Sequence, residues 1–168
     1  MYVFLLDVYA MLKKKEFKQF DRLIRSKPQL LNSLRNSYND NSSLLMQAAQ
    51  DGNRDLFRKL LELPQDFGIA TRNGWNVFHR IAARQNAEWW FDVLVEKMYN
   101  SDELVNKKTT DGATPLHWAA RCNNLESIKW LLSHQADFNA TDNIGKYPDD
   151  LYGCSFETKR MISECRGK

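Results

Sequence analysis

The sequence predicts an all-α solenoid of stacked helix-turn-helix units with hairpin-like connecting loops. Three observations lead to it. The run at 111–120, Asp-Gly-Ala-Thr-Pro-Leu-His-Trp-Ala-Ala, returns in a weaker copy at 73–82, and its glycine and proline return at 145–148. Gly112 and Gly145 are 33 residues apart. Apolar residues follow the full copies at the i, i+3, i+4 spacing of a helix. Such periodic self-similarity indicates units that bury their apolar faces only against their neighbours.

The best copy of the run predicts a tight turn followed by a helix. Gly112 can adopt the left-handed backbone of the turn without the steric cost of a side chain. Thr114 is suited to cap the helix by accepting a backbone N–H, and Pro115 suits its first position, where no donor is needed. Leu116 and the alanines after it form an apolar stripe that lets the next unit approach closely. A second helix follows, with an apolar stripe that begins at Ile128.

Residues 109–141 closely resemble an ankyrin repeat over nearly the whole family pattern. The match comprises the TPLHxAA block at 114–120, the Leu-Glu pair at 125–126, the apolar residues at 128, 131 and 132, and the Ala-Asp-x-Asn ending at 136–139. The resemblance implies an ankyrin solenoid in which the histidine of the block joins its helix start to the adjacent turn by hydrogen bonds. The residues with structural roles in the pattern are Gly74, His79, Gly112, Thr114, Pro115, Leu116, His117 and Gly145.

The repeat pattern divides residues 1–168, expected to be a single domain, into about five units. The boundaries expected are an N-terminal capping helical pair at 3–35, repeats at 38–70, 71–108 and 109–141, and a C-terminal capping repeat at 142–165. In the middle repeat, an offset of 38 residues aligns Trp90 with Ile128. That alignment puts five extra residues between Val95 and Glu103 and predicts a longer loop after the second helix.

Several positions depart from the usual repeat. Asn41 and Asn123 stand where glycines are usual, and asparagine tolerates the left-handed conformation. Gln135 also replaces a glycine, so local strain is expected there. Asp92 occupies an apolar position and predicts an exposed or paired side chain. His134, between the second helix and the exit loop, is expected to be solvated.

Composition argues against several classes of protein. No apolar run approaches 18 residues, so no membrane span is expected, and the short apolar run at 2–6 does not suit a signal peptide. Three cysteines without Cys-x-x-Cys spacing argue against disulfides and zinc, and favour the cytoplasm or another reducing intracellular compartment. Without a Gly-rich phosphate loop or a metal-ligand cluster, we expect no cofactor, no metal and no small-molecule substrate.

Basic side chains are concentrated at the N-terminus. An anionic partner such as nucleic acid is one interpretation. A solvated cap is favoured over it, because no exposed aromatic side chains alternate with the lysines, so nucleic-acid binding is not expected. Residues 1–35 contain eight basic side chains against three acidic ones: Lys13, Lys14, Lys15, Lys18, Arg22, Arg25, Lys27 and Arg35 against Asp7, Glu16 and Asp21.

The residues that resemble catalytic groups have simpler explanations. His117 and Cys122 are five positions apart, but no orienting group or oxyanion-stabilising segment accompanies them. Asp149 and Asp150 are adjacent, and adjacent side chains on a helix point in different directions rather than converging on one site. We therefore expect no enzymatic activity.

Two tryptophans occupy variable positions of the repeat. Trp118 fills the free position of the TPLHxAA block, and Trp75 follows the turn glycine Gly74. The resemblance implies that such positions line the concave face, where ankyrin proteins bind their partners. Tryptophan is enriched in binding hot spots, although packing between repeats is an alternative for both residues. The partner-binding residues predicted are Trp75, Trp118, Arg72, Arg80, Arg84, Arg121, Asp111 and Lys146.

These features predict a non-catalytic scaffold that binds another protein through its concave face. Two alternatives remain open. In the first alternative, the chain is a microbial or viral effector that mimics ankyrin proteins in a host cytosol. In the second, it is an accessory cap or regulatory subunit of an enzyme. The resemblance also implies that the exit-loop asparagines, Asn139 and Asn106, are candidate sites of asparaginyl hydroxylation.

Overall fold

The computed structural model describes residues 8, 11–12, 16–27, 35–36, 41–63, 66–98 and 101–166. The predicted helical solenoid is confirmed. Parts of the expected cap at 3–35, with Lys13 to Lys15, and of the segments that join the units lie outside the described residues. Within those residues the elements are α1 Phe17–Ser26, β1 Arg35–Asn36, β2 Ser42–Ser43, α2 Leu44–Asp51, α3 Arg54–Leu61, α4 Val77–Ala82, α5 Glu88–Val95, α6 Ser101–Val105, α7 Pro115–Arg121, α8 Leu125–Ser133, a 3-10 turn Pro148–Asp150, and α9 Phe156–Arg166.

The helices form two layers. The first helices of the three repeats, α2, α4 and α7, contact one another in order, and the second helices α3, α5 and α8 pack behind them. Alanines let the first helices approach closely, since Ala48, Ala82 and Ala119 are fully buried. Large aromatic side chains fill the space between the layers, among them Phe57 and Phe78, which are also fully buried. Each unit therefore buries its apolar surface against the next one.

Left-handed backbone recurs at the same two places in every repeat. The hairpin tips have it at Asn41, Gly74 and Gly112, with φ of 69°, 82° and 82°. The turn between the two helices has it at Gly52 and Asn123, with φ of 73° and 51°. Asparagine thus takes the place of glycine as expected, because its short polar side chain tolerates this conformation.

The middle repeat corrects the sequence alignment by one residue. Its left-handed turn residue, Asn86, lies 12 positions after the tip glycine, whereas Asn123 lies 11 positions after its own. One of the five extra residues is therefore in the turn between the helices, and four follow α5. As a result Phe91, which is fully buried, and not Trp90, takes the place of Ile128. Asp92 consequently moves to the surface, where its carboxylate accepts the indole N–H of Trp130 at 2.7 Å.

The longer loop expected after the second helix of this repeat is present and contains α6. Val105 at the end of α6 is fully buried, so the short helix is anchored to the core. Leu104 also accepts a hydrogen bond from the side chain of Asn76, 2.7 Å away at the start of α4. The extra residues therefore pack against the stack.

The two ends of the stack differ from the repeats. At the N-terminus, Val8 and Leu12 have helical backbone and are buried, as are Phe20 and Ile24 of α1. At the C-terminus, Ser155, which caps α9, lies seven positions after Pro148, whereas Asn124 lies nine positions after the corresponding Pro115. The last unit has too few residues for a full first helix and makes only a 3-10 turn.

An ion pair holds this 3-10 turn to the end of α9. Arg166 donates two hydrogen bonds to the carboxylate of Asp149, and its guanidinium lies 4.2 Å from the centre of the Tyr147 ring. Asp149 is buried and Asp150 is exposed. The two aspartates therefore face different surroundings and do not form a paired carboxylate site.

Neighbouring hairpin tips are joined by backbone hydrogen bonds. The Thr110 N–H donates to the Asn73 carbonyl at 3.0 Å, and the Asn143 N–H donates to the Asp111 carbonyl at 3.0 Å. A Cβ atom on Gly112 would lie 2.6 Å from the Asn143 nitrogen, closer than such atoms approach. Glycine is required here both for the left-handed turn and for contact with the next unit.

Replacing Gly112 with alanine should therefore destabilise the protein more than the same change at Gly145, which has φ of 78° and nothing near its hypothetical Cβ. Gly145→Ala carries only left-handed strain, about 1–2 kcal/mol. Gly112→Ala should cost a further ~1–3 kcal/mol because the added methyl group forces the tips apart. Urea denaturation measures both, and equal losses would show that the tips do not need this close contact.

Candidate protein interface

The candidate surface is formed by the hairpin tips at 71–75, 109–113 and 142–146 together with the first helices α2, α4 and α7. We refer to it as the first-helix face. It includes the variable positions of the repeat pattern. It also extends across the boundaries between repeats, because the first helices of successive repeats lie side by side. A ligand bound here would contact several units at once.

Two tryptophans lie at the centre of the first-helix face. The rings of Trp75 and Trp118 are 4.2 Å apart between centroids, and both side chains are half-buried. The Arg80 guanidinium lies 4.9 Å from the centre of the Trp75 ring, and that of Arg121 lies 5.2 Å from the Trp118 ring. The result is a row of cation, indole, indole and cation, in which each neighbour restricts the next side chain. We call these four residues the tryptophan row.

The tryptophan row joins successive repeats. Trp75 belongs to the middle repeat and packs on Trp118 in the first helix of the next, so the inter-repeat packing considered above does occur. Arg80 also donates a hydrogen bond to the Ser42 hydroxyl of the preceding repeat at 3.2 Å. Packing nevertheless leaves each indole partly accessible. Contact with a partner remains a prediction for both tryptophans.

The other predicted contact residues fall into two groups. Arg72, Asp111 and Lys146 are exposed on the hairpin tips. Arg84 is used inside the fold: it donates to the Ala49 carbonyl and its guanidinium lies 4.4 Å from the centre of the Trp90 ring. Burial lowers the pKa of Arg84. Its guanidinium bridges two repeats and is less available to a partner than the exposed residues are.

The two buried histidines connect each first helix to the following hairpin. The Nε2 of His79 lies 3.2 Å from the Ala113 carbonyl, and that of His117 lies 3.1 Å from the Lys146 carbonyl. Since a carbonyl can only accept, each Nε2 carries the proton. Each Nδ1 in turn accepts a backbone N–H, from Asn76 at 3.2 Å and from Thr114 at 3.1 Å. The hydrogen bonds that the ankyrin resemblance implies are therefore present.

This arrangement keeps both imidazoles neutral. Burial lowers the pKa of His79 to about 4 and lowers the pKa of His117 as well. Each ring nitrogen is used within the fold, which leaves neither histidine arranged as a general base. Cys122 is exposed at the surface, but partial desolvation of its sulfur raises the pKa of the thiol, which disfavours the reactive thiolate. In the part of the chain that the structure describes, no three His, Cys, Asp or Glu side chains group as a metal site would need.

The third histidine corrects an expectation. His134 is half-buried rather than solvated: its ring stacks on Trp130 at 3.6 Å between centroids, and its Nδ1 lies 2.8 Å from the Trp130 carbonyl. The prediction of a solvated side chain did not take into account the indole of Trp130, which lies one turn earlier in α8. Gln135, which follows, has the strained left-handed backbone expected of it, with φ of 61°.

The candidate hydroxylation sites differ in how their side chains are used. Asn106 donates to the Gln135 carbonyl at 3.0 Å and accepts the Asp137 N–H at 2.7 Å, and so it ties two exit loops together. Asn139 is exposed, and within the described part of the chain only its backbone N–H forms a hydrogen bond, to the Asp137 carboxylate at 2.9 Å. An enzyme could reach the amide of Asn139 without disturbing the stack.

The fold and its surface define a helical repeat scaffold that presents a ligand-accessible face. A family model described as "Ankyrin repeats (3 copies)" matches residues 45–142, and the chain belongs to the ankyrin repeat family. Ankyrin repeats are generally protein–protein interaction modules, and the family is generally non-catalytic. No helix among the described residues is both long and apolar enough to cross a lipid bilayer.

Curated proteins similar to this chain differ from one another in their overall nature. Human ankyrin repeat and SOCS box protein 3 is 32% identical over 105 residues, which are 62% of this chain and 20% of the relative. The leucine-rich repeat serine/threonine-protein kinase 1 of Caenorhabditis elegans is 26% identical over 76% of this chain and 5% of the kinase. Transcription factor MBP1 of Kluyveromyces lactis is 31% identical over 45% of this chain and 11% of the factor. The chain thus spans a fifth or less of the length of these relatives.

Acidification should destabilise the protein through His79. The unfolded chain binds the His79 proton near pH 6.5, whereas the folded state binds it only near pH 4. The stabilising contribution of the neutral ring is therefore complete above pH 6.5 and is lost as the pH falls towards 4. Between pH 7 and pH 5 the loss should be about 2 kcal/mol.

Urea denaturation across this pH range measures that loss. His79→Gln keeps an amide donor for the Ala113 carbonyl but cannot take up a proton. The variant should be less stable than the parent at pH 7. Its unfolding free energy should also vary less steeply with pH, because unfolding of the variant takes up about one proton fewer. An unchanged pH dependence would contradict the assignment to His79.

Hydroxylation should select Asn139 over Asn106, because only the former has a free side chain amide. Incubation with an asparaginyl hydroxylase should add one oxygen to the intact mass, and fragment masses should place it on Asn139. Asn139→Gln should abolish the gain, and Asn106→Gln serves as the comparison. An absence of added oxygen, or its location on Asn106, would contradict the prediction.

Proposed function

We propose that this protein is a non-catalytic scaffold that binds another protein through its first-helix face, with the tryptophan row at the centre of the contact. The observation that carries the proposal is the pairing of Trp75 with Trp118 between two arginines. These four side chains come from two successive repeats, and both indoles remain partly exposed. Large aromatic and arginine side chains of this kind dominate binding energy at protein interfaces.

The order already present in the row supports this proposal. Each indole is held by its neighbour and by a cation, so binding would immobilise few additional rotamers. The rim is also polar in the way interfaces require, since Arg72, Asp111 and Lys146 are exposed on the surrounding hairpin tips. A rigid aromatic centre with a charged rim favours a protein partner over a small molecule.

The state of the cysteines supports a reducing intracellular compartment as the place of action. Cys122, Cys154 and Cys165 all carry free thiols. Cys122 is exposed, and an exposed thiol persists best where glutathione and thioredoxin keep cysteines reduced.

Replacing the two tryptophans of the row should weaken binding of the partner. The full chain would be immobilised and exposed to cell extract, and bound proteins identified by mass spectrometry. The affinity of each candidate would then be measured for the parent and for Trp75→Ala/Trp118→Ala. We expect a loss of about 2 kcal/mol or more, which is about 30-fold in Kd, because both indoles lie at the centre of the proposed contact.

Trp89→Ala provides the matched control. Trp89 is also half-buried and also lies next to arginines, with Arg54 and Arg58 at 4.6 and 5.2 Å from its ring centre, but it belongs to a second helix. It should leave the affinity unchanged, and urea denaturation should show that the variants are folded. Equal affinity of the parent and the Trp75/Trp118 variant would overturn the proposal.

A further inference from the structure

The C-terminal unit leaves a cleft beside the last full repeat. Because its first helix is reduced to the 3-10 turn Pro148–Asp150, no helix of the described residues packs along the outer side of α7 as α7 packs along α4. The space left is an open cleft of about 920 Å³ between the hairpin tip 142–146 and the loop 150–153. Its size lies within the range of ligand-binding pockets.

The cations of this cleft form no ion pairs among the described residues. Three cations, Arg121, Lys146 and Lys159, line it, and all three are exposed. No carboxylate in the part of the chain that the structure describes forms an ion pair with any of them, and the Arg121 guanidinium lies 5.2 Å from the centre of the Trp118 ring. Lys146 and Lys159 have long flexible side chains that can turn towards a ligand, whereas Arg121 is held over the Trp118 ring at the edge of the cleft.

The carboxylates of the cleft are held by the protein itself. Three of them balance the three cations. Asp142 accepts the backbone N–H groups of Ile144 at 3.0 Å and Lys146 at 2.8 Å. Asp111 accepts the Thr109 hydroxyl, and Asp150 accepts the Tyr147 N–H at 3.5 Å. The carboxylates repel a doubly charged phosphate more strongly than the singly charged carboxylate of an acidic side chain. They suit a peptide, whose acidic side chains can meet the cations while its N–H groups meet the carboxylate oxygens.

Apolar side chains at the rim narrow the choice further. Ile144 is 80% exposed and Tyr152 is fully exposed, and both line the cleft. Exposed large apolar side chains grouped beside a pocket are typical of binding sites. The cleft also adjoins the tryptophan row, because Arg121 lines the cleft and its guanidinium lies over the Trp118 ring.

We propose that this cleft receives an extended segment of the partner protein that carries an acidic side chain next to an aliphatic or aromatic one. The acidic group pairs with Lys146, Lys159 and Arg121, and the apolar group covers Ile144 and Tyr152. This inference rests on the proposed function, because it assumes that a protein partner lies across the first-helix face. It adds the chemistry of the segment that continues beyond the tryptophan row.

Selection from a random-peptide library displayed on phage, with the full chain as bait, tests this inference. The enriched peptides should share an Asp or Glu next to an aliphatic or aromatic residue. A synthetic copy of the most enriched peptide should bind Lys146→Glu/Lys159→Glu at least about 10-fold more weakly than the parent. Lys18→Glu/Lys129→Glu, which reverses two exposed cations on second-helix surfaces, should bind as the parent does.

The remaining results would each overturn the inference. They are enrichment of neutral or basic peptides, no enrichment above an unrelated bait, and equal binding to the two charge-reversed variants. A copy of the peptide with phosphoserine in place of the acidic residue separates the two anions, and tighter binding of the phosphopeptide would overturn the assignment to a carboxylate. If partner affinity falls with Trp75→Ala/Trp118→Ala but not with Lys146→Glu/Lys159→Glu, the proposed function stands and only the cleft is reassigned.

Discussion

The hydrogen bond from each buried histidine to the next hairpin is the constraint on which the register of the stack depends. A solenoid has no single core, and so its stability and shape are sums of contacts between neighbours. His79 and His117 each use one ring nitrogen on their own helix start and the other on the following unit. Burial keeps the rings neutral, and a neutral ring can accept on one side and donate on the other.

The candidate interface depends on this register. Trp75 and Trp118 belong to different repeats, and their rings meet only because the hairpin of one unit is held against the first helix of the next. The cleft beside α7 arises where this regular packing stops, because the shortened C-terminal unit has a 3-10 turn in place of a first helix. Binding features on this scaffold are thus consequences of how regularly, or irregularly, the units repeat.

Expectations from the sequence succeeded where a position is dictated by backbone geometry. Asn41 and Asn123 take left-handed glycine positions, as their spacing from the repeat pattern indicates. The sequence-based expectations failed where extra residues could be placed in more than one loop. A single extra residue in the turn at Asn86 shifts α5 by one position, and this puts Phe91 where Trp90 was expected. Both residues are large and apolar, so periodicity alone could not distinguish the two registers.

The sequence by itself determined the class of fold, the family and the structural role of the tip glycines, because each follows from local spacing along the chain. The resemblance to ankyrin repeats implied the role of His79 and His117. Only the tertiary structure decided how the surface side chains are used. Arg84 binds within the fold while Arg121 lies over an indole, and Asp92 and His134 each find a tryptophan. Such contacts join side chains up to about a repeat apart, and their geometry is set by packing between units, which no local pattern records.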